Sequence, residues 1–389
     1  MEREQGRSAI VVGAGIGGLA AAIGLQRAGW TVTLLERAPQ LREAGAGWSF
    51  APNALRAADA LGVGTEFRAC SVPTEAGATM RLPGGEYLIR FQPGDDPPLL
   101  ANHRADLQRV LARQVPADGV RTGAEVTGVR QDDDGVTVTC GDGRQMRADL
   151  LVGADGIHST VRRRVWPDAP QPVFQRILCW RGVSAPGSVW PVSGFQTWAR
   201  GARFGAHPLT DERVFWFLTV RQEEPGAHFA DDLGEVAART HGWHEPIPAL
   251  LAATPPETVL RHDIYDLDPL PSYAKGRIAL LGDAAHAMTP FLAQGACQAL
   301  EDAVVLAAEA AGRAPVPHVL NRYDQVRRPR TQQVQRMARA DPKLSLSTSA
   351  ATYRLMTAMT RLASSGVARR KSARLWNWTP PALPTEVTR

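Results

Sequence analysis

An apolar run at residues 8–13, SAIVVG, leads into the glycine series Gly13-Ala14-Gly15-Ile16-Gly17-Gly18, which opens a helix-forming stretch at 14–28. Nothing else in the chain restricts its fold as much. Gly13 allows a tight turn, Gly15 leaves room for an anion to approach the backbone, and Gly18 lets the helix lie close to the strand. Ile16, Leu19, Ala20, Ile23 and Leu25 fall on or near one helical face, Gly29 ends the helix, and TVTLLE at 31–36 reads as a second strand. This is the spacing of a βαβ unit, which predicts a parallel sheet. The helix N-terminus offers free N–H groups and a favourable dipole to a pyrophosphate. Glu36 closes the second strand, where an acid accepts hydrogen bonds from the hydroxyls of an adenosine ribose. A carboxylate there repels a 2′-phosphate, so the nucleotide is FAD or NAD and not NADP. Arg37 either covers the adenine face or solvates the surface. A bare βα turn would not need strands, helix and terminal acid all in register.

Further along, residues 52–61 and 103–115 read as helices. AEVTGVRQ at 124–131 and VTVTC at 136–140 alternate, with Asp and Gly turns between and after them. MRADLLVGADG then reads as a strand returning to the parallel sheet and ending at Asp155-Gly156. Texture changes at 172–265, which holds Trp180, Trp190, Trp198, Trp216 and Trp243, half of the ten tryptophans. Strand candidates there are 174–184, 196–201 and 213–220. RIALLGD at 277–283 restores a buried parallel-type strand, and a helix follows at about 294–311. From 315 the chain reads as helical, interrupted by Pro329 and Pro342. The fold class is therefore α/β. Residues 1–171 and 266–320 form a discontinuous Rossmann-like nucleotide domain, 172–265 an inserted antiparallel-sheet substrate domain, and 321–389 a helical C-terminal region.

Composition excludes several classes. The 389 residues are 44% hydrophobic and 21% charged, ordinary globular usage. Cys70, Cys140, Cys179 and Cys297 contain no CxxC pair, which argues against a disulfide scaffold or thiolate zinc site. No His, Asp and Cys spacing suggests a metal centre. The net charge of +5 is uneven: residues 321–389 carry 14 Lys and Arg against 3 Asp and Glu. Such a tail could meet nucleic acid or an anionic membrane, but the favoured reading is a solvated face or a patch packed on the acidic body. The charged N-terminus and the lack of a long apolar run predict a cytoplasmic protein with no signal peptide and no membrane span.

Three blocks together carry a resemblance. They are GAGIGG with Glu36-Arg37; Gly153-Ala154-Asp155-Gly156-Ile157-His158-Ser159-Thr160-Val161-Arg162; and Gly282-Asp283-Ala284-Ala285-His286-Ala287-Met288-Thr289-Pro290 running through Gly295 to Glu301-Asp302-Ala303. In order and spacing the chain resembles the single-component FAD-dependent aromatic hydroxylases, the group A flavoprotein monooxygenases that include salicylate, 6-hydroxynicotinate, 3-hydroxybenzoate and urate hydroxylases. The resemblance implies bound FAD, with NAD(P)H as transient co-substrate. Asp155 would support the pyrophosphate and coenzyme region, Asp283 the ribityl chain, Arg104 the ribityl or phosphate region, and the backbone at Val126 the adenine. The N–H groups at Gly295 and Ala296 would face the flavin pyrimidine carbonyl, and the Pro290 carbonyl would lie near the hydroxylation site. Read from the residues alone, Asp155 could instead be a turn aspartate and Asp283 a helix cap. Two departures from the family pattern are Ala293, where Gly is frequent, and Cys297, where Asn is frequent.

For the substrate side, Trp180, Trp198, Phe215 and Phe217 are candidate pocket walls. Strand alternation puts Phe215 and Phe217 on one face and Trp216 on the other, and one set must be core. Arg203, in a stretch resembling urate hydroxylase, is the candidate that stabilises a substrate anion or a flavin peroxide; its alternative is a surface arginine at a sheet edge. His207 is a candidate base, since an ordinary histidine titrates near neutrality. Where the urate enzyme carries a tyrosine on the next strand, this chain has Phe215. The implied reaction is NAD(P)H- and O2-dependent hydroxylation of an electron-rich aromatic through a flavin C4a-hydroperoxide. The alternatives are a same-family epoxidase or tailoring enzyme on a polycyclic or alkene substrate, and an FAD oxidoreductase without oxygen insertion. Expected partners are the aromatic small molecule, NAD(P)H and O2, with no nucleic acid, in a monomer or homodimer.

Overall fold

The computed structural model describes residues 7–41, 47–74, 79–89, 99–188, 193–362 and 375–384; Trp190 lies outside them. Its nucleotide-binding region is built on a sheet ordered β18-β19-β12-β1-β2-β8, comprising Ala274–Lys275, Ile278–Leu280, Leu150–Gly153, Ser8–Val12, Thr31–Leu35 and Val120–Arg121. β1 pairs in parallel with β2 and β12, and β12 with β19; only edge strand β18 runs antiparallel. Helix α1 (Ile16–Arg27) is buried on nearly every side, because it lies between this sheet and α9 (Gly295–Ala310). Small residues make that approach possible: a Cβ on Gly24 would stand 2.9 Å from the Ala307 Cβ.

The expected return strand is two strands. β9 (Val126–Gln131), β10 (Val136–Cys140) and β11 (Gln145–Ala148) form an antiparallel meander, and the chain then changes sheets at Asp149 to enter β12. The Asp149 carboxylate accepts hydrogen bonds from the backbone N–H and hydroxyl of Ser8, at 2.7 and 2.8 Å, which ties the switch to the first strand.

The second large sheet has seven strands in the order β17-β13-β16-β15-β14-β5-β6: Leu260–Asp266, Val173–Val183, Val214–Arg221, Ala202–Pro208, Phe195–Ala199, Thr79–Arg81 and Tyr87–Ile89. It reaches outside 172–265, since β5 and β6 come from the N-terminal part and β5 pairs in parallel with β14. β15, carrying Arg203 and His207, is a strand that the sequence reading missed: Ala202, Phe204 and Ala206 do alternate with Arg203, Gly205 and His207, but Gly201, Gly205 and Pro208 give the stretch the composition of a loop. Helices α6 (Asp232–Arg239) and α7 (Ile247–Ala252) cover the outer face. A small sheet of β3 (Gly47–Phe50), β7 (Leu99–His103) and β4 (Ser71–Thr74) bridges the two regions, with α2 (Pro52–Ala60), α3 (Gly64–Ala69) and α4 (Arg104–Ala112) beside it. α5 (Thr160–Val165) and α8 (Asp283–His286) are short.

The C-terminal region is helical, but its prolines do not break it. Pro329 and Pro342 both lie inside α10 (Val316–Ser345). An interior proline costs about 3 kcal/mol, partly because it leaves the carbonyl four residues earlier without a donor. For Pro342 that carbonyl is Ala338 O, and the Thr289 hydroxyl donates to it at 2.6 Å. The Pro342 carbonyl itself accepts from Arg221 at 2.7 Å. Three basic residues of α10 pack on the acidic body: Arg327 with Glu301 and Asp302, Arg330 with Glu301, and Arg339 with Asp266 and Asp268. Helix α11 (Ala350–Leu362) follows, and no helix among the described residues is long and apolar enough to cross a membrane.

Candidate active site

The glycine turn has the geometry its residues require. Gly13 sits at φ +102°, and a Cβ there would stand 2.4 Å from Ala154 O; a Cβ on Gly18 would meet Gly13 O at 1.8 Å. Around Gly15 nothing lies within 4 Å of such a Cβ, so open space faces the helix N-terminus. Gly15 is therefore the position where an extended phosphate approaches the backbone, and the other two are closed by protein. Glu36 braces this turn. Its carboxylate accepts from Ala14 N at 2.8 Å and Ala38 N at 2.9 Å, and Gln108 on α4 donates to Ala14 O at 2.9 Å. Arg37 is exposed beside it. Val126 starts β9 close by, since Ala124 N donates to Glu36 O at 2.8 Å.

Asp155 follows β12 directly beside Gly13. One oxygen accepts from Thr160 N and Val161 N, at 2.7 and 3.1 Å, and so holds the start of α5. The other is buried with no hydrogen-bond partner among the described residues. A buried carboxylate oxygen left unmade is costly, and it fits a site completed by a ligand donor. Arg162, almost fully buried, fastens this loop to α8 by donating to Ala284 O at 2.9 Å and to Ile157 O at 2.5 Å.

Asp283 opens α8 after Gly282, which stands at φ +59°, and its side chain is exposed. Its Oδ1 lies 3.9 Å from where a Gly295 Cβ would be, which puts the acid at the start of α9. No side chain caps that start, and Ala296 is buried in its first turn. Crowding by protein lowers the Arg104 pKa, nearby Asp283 raises it again, and Arg181 on β13 lowers it. Gly13, Asp155 and Asp283 thus lie at the carboxyl ends of the parallel strands β1, β12 and β19, and Asp283 is near both Arg104 and Gly295. An extended dinucleotide fits this arrangement.

Ala293 accounts for one departure from the family pattern. It adopts φ +50°, ψ +33°, the left-handed region that favours glycine. Behind it lies a polar network that sequence reading missed. Glu301, fully buried, accepts from Asn53 at 2.7 Å, Gln298 at 3.2 Å, Arg327 at 2.6 Å and Arg330 at 2.6 Å. Asp302 accepts from Gly282 N at 2.9 Å and Arg327 at 2.7 Å, and lies 2.6 Å from His286 Nε2. Burial works to raise the Asp302 pKa, but His286 and Arg327 bring it down to about 2. The network fixes the start of α9 and the backbone before Asp283. Its members are up to 277 residues apart, from Asn53 to Arg330, and no local pattern announces that meeting.

On the facing sheet the alternation is decided. Leu178, Trp180, Phe195, Phe204, Trp216 and Leu218 pack outward under α6 and α7. Trp180, expected as a pocket wall, is in that outer core: it is fully buried, and its indole N–H donates to Asp232 on α6 at 2.7 Å. Phe215 and Phe217 take the inner face, where His207 packs against both with ring centroids 6.4 and 6.5 Å away. Gly205 makes room there, since a Cβ would stand 2.4 Å from the Phe217 ring. Arg203 is neither at an edge nor on the surface. Its strand is interior to the sheet and its residue exposure is 6%. It donates to Gln196 at 2.8 Å and pairs with Asp341 of α10 at 3.3 Å. Its guanidinium lies 5.2 Å from the Trp198 ring and 5.6 Å from the ring of Phe291, the residue after Pro290. The Pro290 carbonyl accepts from Ala293 N at 3.0 Å within that turn. Burial, and then Arg203, lower the His207 pKa to about 4, so its ring is neutral at pH 7. Its Nδ1 is buried without a partner among the described residues. The structure therefore brings Arg203, His207, Trp198, Phe215 and Phe217 to the face opposite the Pro290 turn, and leaves Trp180 out.

Comparison with known proteins agrees with this geometry. Residues 7–338 match the family described as the FAD binding domain. The chain is 39% identical over 327 residues to aurachin C monooxygenase/isomerase of Stigmatella aurantiaca, covering 83% of this chain and 85% of that protein. It is 35% identical over 314 residues to the FAD-dependent urate hydroxylase of Klebsiella pneumoniae, covering 77% and 80%. The crystal structure of Klebsiella pneumoniae HpxO with FAD and uric acid superposes with a TM-score of 0.88 at 28% identity, over 96% of this chain and 97% of that one.

Proposed function

From the premise that the chain belongs to the family of FAD-dependent aromatic hydroxylases, and is an FAD-dependent, NAD(P)H-using monooxygenase of aromatic or heteroaromatic compounds, we propose that it hydroxylates an electron-rich ring held between the Pro290 turn and the β15–β16 face. When bound, FAD reduced by the nicotinamide coenzyme supplies the activation of O2. The rest of the work is done by the chain. Glu36 and the open backbone at Gly15 hold the adenosine and pyrophosphate end, with Arg37 and Val126 beside it. Asp155, Arg104 and Asp283 hold the middle of the cofactor. The N–H groups of Gly295 and Ala296 meet negative charge on the flavin pyrimidine ring.

One observation carries the substrate side: a buried guanidinium, Arg203, between two aromatic rings and beside a neutral histidine. Arg203 stabilises negative charge on the ring substrate as it reacts. His207 Nδ1 accepts a hydrogen bond from a phenolic or ring N–H group. At a pKa of about 4 it is a weak base, so it orients more than it deprotonates. Trp198, Phe215 and Phe217 stack on or edge the ring and exclude water.

The test is turnover of the FAD-loaded enzyme with NAD(P)H, a panel of hydroxybenzoates, aminohydroxybenzoates and purines, and isotopically labelled O2. Product heavier by one labelled oxygen supports the proposal. Coenzyme oxidation yielding only hydrogen peroxide with every compound would refute it and favour an oxidoreductase without oxygen insertion. A second reading, oxidative tailoring of a polycyclic or alkenyl substrate, is supported by the relative whose activity joins monooxygenation to isomerisation. It also fits the apolar cluster of Ile177, Cys179, Ile264 and Leu346, against which Phe217 and Phe291 pack. In that case labelled oxygen enters an epoxide or rearranged ring rather than a simple phenol.

A further inference from the structure

Helix α11 turns a mixed side of Thr, Tyr and Met residues toward the protein and an apolar stripe toward solvent. At 100° per residue, Leu355, Met359 and Leu362 share one stripe with Ala351 and Ala358. That stripe faces outward: Leu355 is 62% exposed, Met359 63% and Leu362 86%. The half-buried side carries Tyr353, Met356, Thr357 and Thr360. Arg354 and Arg361 are exposed along one margin of the apolar stripe. From residue 342 to residue 385 the sequence contains seven Lys and Arg and no Asp or Glu.

We propose that the outer face of α11 docks on an anionic phospholipid surface. Exposed large apolar side chains need a partner that removes them from water, and a basic margin needs one that is negative. An anionic bilayer surface supplies both. A second copy of the chain fits less well, because a two-fold contact would bring two basic, acid-free segments together. The charge asymmetry has two parts: Arg327, Arg330 and Arg339 of α10 are neutralised by acids of the body, whereas Arg354 and Arg361 of α11 are not paired with any acid among the described residues. One acid, Glu86, acts on this helix through Tyr353, on the half-buried side.

The helix is fastened to the sheet that carries the candidate site. The Tyr353 hydroxyl donates to Trp198 O at 3.0 Å, and Gly201 N donates to Ser347 O at 3.0 Å. Docking through α11 turns the β14 side of the active-site sheet toward the lipid, where an apolar aromatic substrate dissolves. Binding is reversible, since one helix of 13 residues buries a limited area. The inference does not depend on which ring is hydroxylated.

The experiment is sedimentation of the FAD-loaded protein with two vesicle preparations, phosphatidylcholine alone and phosphatidylcholine with an equal part of phosphatidylglycerol. Partitioning at least about tenfold stronger to the anionic vesicles, lost at high salt, is expected. Arg354→Gln and Arg361→Gln each weaken it about fivefold. The combined Leu355→Ser, Met359→Ser and Leu362→Ser variant weakens it about tenfold or more, with FAD content and coenzyme oxidation unchanged. Equal binding to both vesicles, or variants that bind like the parent, overturns the proposal. So does a parent that ignores vesicles, whether it is a monomer or a dimer that the triple variant splits; the dimer assigns the face to a second copy.

Discussion

Replacing Arg203 with alanine separates a catalytic role from a structural one. The guanidinium is desolvated and already held by Gln196 at 2.8 Å and Asp341 at 3.3 Å, so it needs no reorganisation as charge develops. Removing one preorganised donor of this kind costs roughly 100- to 1,000-fold in kcat, about 3–4 kcal/mol. The cost to folding is smaller. The Asp341 side chain is 29% exposed, so water reaches the carboxylate left behind. The Gln196 oxygen keeps the Trp198 indole N–H at 3.3 Å. Two ring contacts of about 0.5–1 kcal/mol each are lost, while the penalty of burying a charge is relieved. A net loss of about 1–2 kcal/mol in stability follows, against a catalytic loss about twice as large. The assay pairs substrate-dependent coenzyme oxidation and product mass with FAD absorbance and the urea midpoint. Arg203→Lys keeps the charge but not the fork, and stays well below the parent enzyme. A fully flavinylated Arg203→Ala enzyme with kcat/KM within about threefold of the parent would refute the reasoning. Loss of FAD in proportion to loss of rate would also count against it.

Other outcomes follow from the same geometry. Arg327→Met deletes the cation shared by Glu301 and Asp302, both fully buried, and lowers unfolding free energy by about 3–5 kcal/mol in urea melts; a midpoint equal to that of the parent would show that Arg330 and His286 suffice. His207 has its folded pKa depressed to about 4 from an ordinary 6.5. The unfolded chain therefore binds the proton first, and stability from this residue falls as pH drops from about 6.5 to about 4, by about 3 kcal/mol in all. His207→Phe flattens the pH dependence of the urea midpoint across that window, and an unchanged slope contradicts the shift. Ala293→Gly relieves about 1–2 kcal/mol of left-handed strain but adds about 0.5–1 kcal/mol of chain entropy in the unfolded state. A gain of up to about 1.5 kcal/mol is expected, and a lower urea midpoint contradicts it.

Local chemistry explains which features could be read from the chain. The βαβ unit, the glycine roles, the meander turns and the acid after the buried strand at 277–283 each depend on neighbours within about twenty residues, so periodicity and turn residues reveal them. β15 hid because Gly201, Gly205 and Pro208 give its short alternating stretch the composition of a loop. Pro329 and Pro342 suggested breaks, yet the helix continues; at Pro342 the freed carbonyl has a donor in Thr289, which no reading of residues 315–345 contains.

The sequence by itself determined the nucleotide turn, the α/β class, and a sheet with aromatic residues on alternating faces, because steric and hydrogen-bonding rules act along the chain. Only the tertiary structure decided that Trp180 and Trp216 lie under α6 and α7 while Phe215, Phe217 and Arg203 turn inward. Strand alternation defines two faces but not which of them meets the rest of the protein. That choice is made by the helices packed against each side, and by partners such as Asp341 and Phe291 that are remote in sequence.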